Sequence, residues 1–281
     1  MKTLLQSSTN EITITYDGPF SIIGERINPT GNKRLSKALT EGDLDYVREL
    51  ARDQVEAGAD VLDVNVGVPG LDEPTLLPRI VEVVASEVEA PICIDTPNVE
   101  ALAAALSKIE GKALVNSVNG EKSSLENVLP LVKDHGAAVI GLTMDEEGIP
   151  STSEGRVKVA GAILEQAAKL GIGEEDVVID PLVLTVGADH QAAATTIEAI
   201  ESIHREFGVN INVGASNVSF GLPERHIINQ AFLALTMGAG ATCAITNAGK
   251  MARTVRATDL LMGRDAFGAR YIQYFRSHQK D

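Results

Sequence analysis

The sequence predicts a single (β/α)8 barrel, an α/β fold of the TIM type, over residues 1–281. Three observations predict it. Eight short runs rich in Val and Ile alternate with longer amphipathic stretches. The runs are apolar on both faces, as parallel strands covered on both sides must be. A length of 281 residues is ordinary for one such barrel. The competing architecture is an open doubly wound sheet, which usually carries a glycine-rich phosphate loop after its first strand. Here that place is held by Gly24-Glu-Arg-Ile-Asn-Pro-Thr-Gly31, with no GxGxxG.

The elements follow in order. Glu11–Tyr16 alternates and runs into Asp17-Gly18, which predicts a short N-terminal hairpin at about 11–24, plugging the barrel bottom. Strands are expected at Phe20–Gly24, Val61–Asn65, Ile92–Asp95, Ala113–Ser117, Ala138–Leu142, Val177–Asp180, Ile211–Ala215 and Ala241–Ile245. A helix over Leu44–Ala57 follows Thr40-Glu-Gly-Asp43, which fits a capping box, and stops at Gly58. A helix over Pro74–Val88 contains Pro78, which should kink it or delay its start. Val99–Ile109 follows Asn98, and Ser124–Asp134 stops at His135-Gly136. Arg156–Leu170, Gln191–Phe207 and Glu224–Met237 each end at a glycine. Thr254–Met262 opens the last helical region.

Composition excludes several classes. The net charge is −15, so phosphate backbones and anionic lipid are repelled; neither nucleic acid nor a membrane surface is expected as a partner. The opening MKTLLQSSTN lacks the apolar core of a signal peptide. No segment approaches the ~20 apolar residues of a membrane helix. A soluble, cytoplasmic protein is expected. The two cysteines, Cys93 and Cys243, sit inside apolar runs with no His nearby. They read as reduced core thiols, and no metal site is expected.

In such a barrel, chemistry sits at the C-terminal ends of the strands. The residues there are Glu25 and Asn28, Asp63 and Asn65, Asp95, Asn116, Asp145, Asp180, Ser216 and Asn217, and Asn247. Any one of them could simply cap a helix or make a turn, and Asp145 in Asp145-Glu-Glu-Gly148 favours the turn. Together they converge on one mouth. Carboxylates and amides dominate there, and cations are scarce. A phosphorylated ligand would want cations or an amide cradle. Ionised carboxylates only accept, so this pocket suits a neutral heterocycle with several N–H donors and a carbonyl. The 2-amino-4-oxo edge of a pterin has that pattern.

The ordered segments Gly24–Gly31, Leu62-Asp-Val-Asn-Val-Gly67, Ile92-Cys-Ile-Asp-Thr96, Val115-Asn-Ser117, Gly141-Leu-Thr-Met144, Ile179-Asp-Pro-Leu182 and Ala215-Ser-Asn-Val-Ser219 carry a resemblance. The chain resembles the pterin-binding methyltransferases that exchange a methyl group between N5 of tetrahydrofolate and a corrinoid cobalt. It is also similar to the folate module of cobalamin-dependent methionine synthase. The resemblance implies that Asp95, Asn116 and Asp180 hold the pterin ring, with Asn217 near N5. It implies that Glu25, Asn28, Asp63 and Asn65 make further contacts or support them. Catalytic roles fall to Asn217, which can donate or accept at N5, and to Asp180. It implies a homodimer, with tetrahydrofolate or 5-methyltetrahydrofolate as co-substrate. Phe220 stands where some relatives have a polar residue, and Lys250 and His190 receive no role.

No Asp-x-His-x-x-Gly cobalt-ligand motif occurs, so the corrinoid is expected on a separate protein that docks transiently over the mouth. The direction of transfer is open. The alternatives are a dihydropteroate synthase-like pterin enzyme, which needs a cation for pyrophosphate on the last strand, and a non-catalytic folate-binding module. An aldolase-like barrel would need a Schiff-base lysine inside a strand, and none of the eight runs has one.

Overall fold

The structure, a computed structural model, describes residues 1–278. Ten strands and ten α-helices follow in order: β1 (Lys2–Gln6), β2 (Glu11–Thr15), β3 (Ser21–Ile27), α1 (Lys33–Glu41), α2 (Leu44–Glu56), β4 (Val61–Val64), α3 (Glu73–Glu87), β5 (Ile92–Asp95), α4 (Val99–Leu106), β6 (Leu114–Asn119), α5 (Lys122–Asp134), β7 (Ala138–Leu142), α6 (Ser153–Lys169), β8 (Val177–Asp180), α7 (Ala192–Phe207), β9 (Asn212–Gly214), α8 (Arg225–Ala239), β10 (Cys243–Thr246), α9 (Ala248–Leu261) and α10 (Ala269–Ser277).

Strands β3 to β10 form one parallel sheet in the order β8-β7-β6-β5-β4-β3-β10-β9. A single parallel bridge, Ile179 to Ile211, joins its two ends. The predicted (β/α)8 barrel is therefore present, closed by a narrow seam between β8 and β9.

Two apolar cores result. Helices α1 to α9 bury one face each around the outside of the sheet. A smaller core fills the barrel itself, with Ile23, Val61, Cys93, Leu114, Ala138, Ile140, Val178 and Cys243 from the strands. Leu5 and Ile14 complete it from below. They belong to the hairpin of β1 and β2, which is the plug.

The plug is not where the sequence put it. The hairpin expected at about 11–24 is formed by 2–6 with 11–15. Its turn is Ser7–Asn10, where the Ser7 N–H reaches the Asn10 carbonyl at 2.9 Å and the Ser7 hydroxyl accepts from the Asn10 N–H at 3.0 Å. Asp17-Gly18 instead leads into the first barrel strand. Residues 2–6 carry two adjacent leucines, Leu4 and Leu5, which hide the alternation of a two-residue period.

Four further differences have local causes. Helix α1 was not expected; Asn32 caps it through the Leu35 N–H at 3.1 Å. Thr40 lies inside α1, so Asp43 caps α2 alone, through the Tyr46 N–H at 3.3 Å. Helix α9 starts at Ala248, capped by Asn247 onto the Lys250 N–H at 3.2 Å. Helix α3 runs unbroken through Pro78. Only the one bond to the Pro74 carbonyl is lost, one turn from a helix start.

The hairpin docks tightly. Gln6 and Lys112 exchange backbone hydrogen bonds at 2.9 and 3.0 Å. Gly111 beside them has φ +114°, and a Cβ there would lie 2.4 Å from the Gln6 carbonyl oxygen. Gly111→Ala should therefore destabilise the protein by roughly 2 kcal/mol or more. Urea unfolding checks this, and a midpoint equal to wild type would show that the hairpin yields freely.

Candidate active site

One rule of strand geometry builds the site. Residues two apart on a strand face the same way. The inward apolar residues Ile23, Val61, Cys93, Leu114 and Val178 are each followed, two positions on, by Glu25, Asp63, Asp95, Asn116 and Asp180. The barrel interior thus changes from apolar to polar in one step toward its mouth. Register then sets depth. Asp63 pairs with Cys93, whereas Asp95 pairs with Asn116 nearer the top. Asp63 is accordingly almost wholly buried and Asp95 only partly so.

The mouth holds a hollow of about 430 Å³ lined by Glu25, Asn28, Asp63, Asp95, Asn116 and Asn217, with Arg26 and Arg225 at its rim. Six predicted residues thus share one space. Asn65 supports it from the side: its Nδ2 donates to Asp95 Oδ2 at 3.1 Å, and Asn28 Nδ2 approaches the same oxygen at 3.5 Å. Asn116 Nδ2 donates to Asp63 Oδ1 at 3.2 Å. The Ser216 hydroxyl lies 3.1 Å from both Glu25 oxygens. An adjoining hollow of about 410 Å³ shares Asp95 and Asn116 and is walled by Leu102, Ser117, Asn119 and Leu142.

Asp180 is deeper and does not line the first hollow. The Leu182 N–H donates to its Oδ1 at 2.8 Å, and Asn212 Nδ2 to its Oδ2 at 2.6 Å. The Cys243 thiol approaches Asn212 Oδ1 at 3.7 Å, which turns the amide's N–H₂ side to the carboxylate. Asn217 is exposed on the turn after β9. Its Nδ2 lies over Gly214, where a Cβ would come within 3.1 Å.

Other strand ends stay outside the cup. Asp145 closes a turn with Gly148, and its Oδ1 accepts from the Glu147 N–H at 3.0 Å. Asn247 caps α9, and His190 and Lys250 are exposed.

Burial pushes all four carboxylates of the mouth above their ordinary range. For Glu25 the Ser216 hydroxyl and the charges of Arg26, Arg225 and Lys250 oppose the rise. Asp63 is raised by burial and then by the charge of Asp95. Asp95 is raised by burial, against the Asn65 amide. Asp180 is pushed up by burial to about 6. Among the described residues none of the four has a cation within ion-pair distance. Amides and hydroxyls hold them instead. Such a cup accepts a neutral ligand that brings its own N–H donors. No group of His, Cys, Asp and Glu suited to a metal ion occurs among the described residues.

Several contributors were missed in the sequence. Asn212 sits in an apolar run and looked like a strand start. Arg225 reaches the rim from the start of α8, eleven residues past the end of β9. Arg156 is buried in α6. Its signal was available: 156, 160, 163 and 167 share one helix face, and the other three are apolar.

A barrel with a polar cup for an N–H-rich ring is the class that fold and site define. Residues 24–247 match the family described as pterin binding enzyme, and the chain belongs to that family. It is 34% identical over 260 residues to the methylcorrinoid:tetrahydrofolate methyltransferase of Eubacterium limosum, covering 91% of this chain and 96% of that protein. It is 32% identical over 253 residues to the methionine synthase of Mycobacterium tuberculosis, covering 85% of this chain but 21% of that protein. The solved 7,8-dihydropteroate synthase of Vibrio fischeri superposes with a TM-score of 0.70 at 17% identity, covering 94% of this chain and 99% of that one. The dihydropteroate synthase of Yersinia pestis, solved with a pterine-sulfa conjugate, gives 0.69 at 16% identity, over 93% of this chain and 100% of that one. These two structures share the fold.

The raised Asp180 has a stability consequence of definite sign. Between its ordinary 3.8 and about 6, the folded state holds a proton that the unfolded chain has released. Stability is therefore lost as pH rises through that window. Asp180→Asn does not titrate, so its stability relative to wild type should climb by up to about 3 kcal/mol between pH 4 and pH 7. Urea melts across pH check this; a constant difference would show that Asp180 titrates normally.

Proposed function

We propose that the protein transfers a methyl group from a methylcorrinoid, carried by a separate protein, to N5 of tetrahydrofolate. The observation that carries this is the amide-held carboxylate cup at the mouth. The full-length similarity to a methylcorrinoid:tetrahydrofolate methyltransferase supports the reaction and its direction.

Asp95 and Asp180 accept N–H groups from the polar edge of the pterin, and Asn116 offers both a donor and an acceptor to it. Asn28 and Asn65 aim Asp95. Asp63 lies below and holds Asn116, and Glu25 with Ser216 lines the opposite wall. The pterin's remaining face is left toward solvent, where Asn217 stands.

The transfer is an in-line displacement. The N5 lone pair attacks the methyl carbon, and the cobalt–carbon bond breaks with both electrons going to cobalt. N5 must then lose its proton. The Asn217 carbonyl accepts a hydrogen bond from that N–H as it acidifies, and water takes the proton from the open mouth. In reverse, the Asn217 amide N–H₂ donates to N5 as the methyl leaves. Such hydrogen-bond help is worth about 10²–10⁴ in rate.

The partner must visit and leave, so its contact is transient. A homodimer and a cytoplasmic location belong to the same proposal. Exposed Leu261, Phe267 and Phe275 at the C-terminal end, away from the mouth, support a second copy covering them. The two free, buried cysteines suit a reducing compartment. A dihydropteroate synthase-like reaction is disfavoured, because β10 carries no cation for a leaving pyrophosphate. A non-catalytic folate-binding module is separated by turnover alone.

Calorimetric titration with tetrahydrofolate should show saturable binding, with Asp95→Ala weakening it at least about 10-fold through the loss of charge-assisted bonds. Preference for a dihydropterin pyrophosphate would overturn the methyltransferase assignment. With methylcobalamin as donor, Asn217→Ala should keep its folate affinity within a few-fold and lose about 10²–10⁴ in transfer rate. Full transfer by a folded Asn217→Ala protein would remove Asn217 from the reaction.

A further inference from the structure

Arg156 stands in the first turns of α6 and is 1% exposed. Its Nε donates to the Pro150 carbonyl at 3.1 Å, and its Nη1 to the Leu182 carbonyl and to Thr196 Oγ1, both at 3.0 Å. No carboxylate lies within 4.0 Å of it among the described residues. A buried guanidinium held only by neutral acceptors is costly. A hydrophobic side chain would fill the same stripe of α6 without that cost. The position needs a reason beyond packing.

The reason lies two residues beyond Asp180. Leu182 has φ +62°, a left-handed conformation uncommon for leucine. Its N–H donates to Asp180 Oδ1 at 2.8 Å, and the left-handed φ turns its carbonyl away from the barrel path. Its carbonyl meets Arg156 at 3.0 Å, and the Thr196 hydroxyl of α7 at 3.1 Å. One residue therefore links the guanidinium to the carboxylate. Its N–H fixes where the carboxylate points, and the guanidinium fixes Leu182.

We propose that Arg156 is a positioning residue of the pterin site, which acts through the backbone of Leu182 to aim the Asp180 carboxylate and supplies the positive field that keeps it an acceptor. The role in ligand binding depends on the pterin assignment given above.

The other groups facing Asp180 are neutral. Asn212 of β9 donates to it, and Leu142 of β7 lies beside it. Thr196 of α7 is a hydroxyl. The Cys243 thiol of β10 is held protonated by burial and by the Asp180 charge. Against the burial of Asp180 work the Leu182 N–H, the Asn212 amide and, as the one charge, Arg156.

The test uses the full chain labelled with ¹³C at the aspartate carboxyls. The Asp180 resonance is identified by its loss in Asp180→Asn. In Arg156→Met it should titrate about one pH unit or more above wild type. Arg156→Lys, which keeps the charge, should titrate closer to wild type. Tetrahydrofolate affinity of Arg156→Met should fall at least about 5-fold at pH 6 and recover toward pH 8. The transfer rate at saturating folate should change little. If Arg156→Met does not fold, Thr196→Val loosens the same clamp and should shift the titration in the same direction by less. An Asp180 midpoint unmoved in the folded variant overturns the proposal. The resonance needs no ligand, so a wild-type protein that fails to bind tetrahydrofolate sinks the pterin assignment separately from the Arg156 link.

Discussion

Everything at the mouth depends on burying carboxylates that make no direct ion pair among the described residues. Moving a carboxylate out of water is costly, and the usual remedy is a partner of opposite charge. This barrel uses amides. Asn65 serves Asp95, Asn116 serves Asp63, Asn212 serves Asp180, and Ser216 serves Glu25. An ion pair would satisfy each carboxylate and leave it little reason to take a ligand. An amide or a hydroxyl satisfies one oxygen and leaves lone pairs free. The raised carboxylates are the consequence of that choice, and they make the mouth a place where stability is given up.

The layered interior makes the choice possible. Below the cup, Ile23, Val61, Cys93, Leu114 and Val178 close-pack with the hairpin's Leu5 and Ile14. Water is kept from the lower end, so the polar layer opens in one direction only. The two cysteines belong to this boundary rather than to any redox chemistry. Cys243 orients Asn212, and Cys93 stands in register beside Asp63. Both thiols are pushed upward by burial and by neighbouring carboxylates, so both remain protonated donors.

How much of this was legible in the sequence follows from where each signal resides. Strands buried on both faces announce themselves as apolar runs, and the polar residue that ends each run is visible beside it. Glu25, Asp63, Asp95, Asn116 and Asp180 were found that way. Asn212 was not, because it lies at the start of its strand, and its partner Asp180 is 32 residues away in sequence. Arg225 escaped because the chain turns back over the mouth after Phe220, a path that local patterns do not encode. Arg156 escaped because a charged residue in a helix is read as solvent-facing, although its position on the apolar stripe contradicted that. The hairpin was shifted because its inner partner strand has two adjacent leucines, of which Leu5 is fully buried and Leu4 is not.

The seam of the barrel ties these threads together. Strands β8 and β9 share one backbone bridge, where the other neighbours share ladders of three residues or more. Asp180 and Asn212 stand on the two sides of that seam, and their 2.6 Å bond spans it. Arg156 and Thr196 then fasten the chain that leaves β8. Side-chain hydrogen bonds thus replace the missing ladder at the one place where the sheet is weakest. The same bonds set the aim of a site carboxylate. A seam closed by side chains holds Asp180 in one direction.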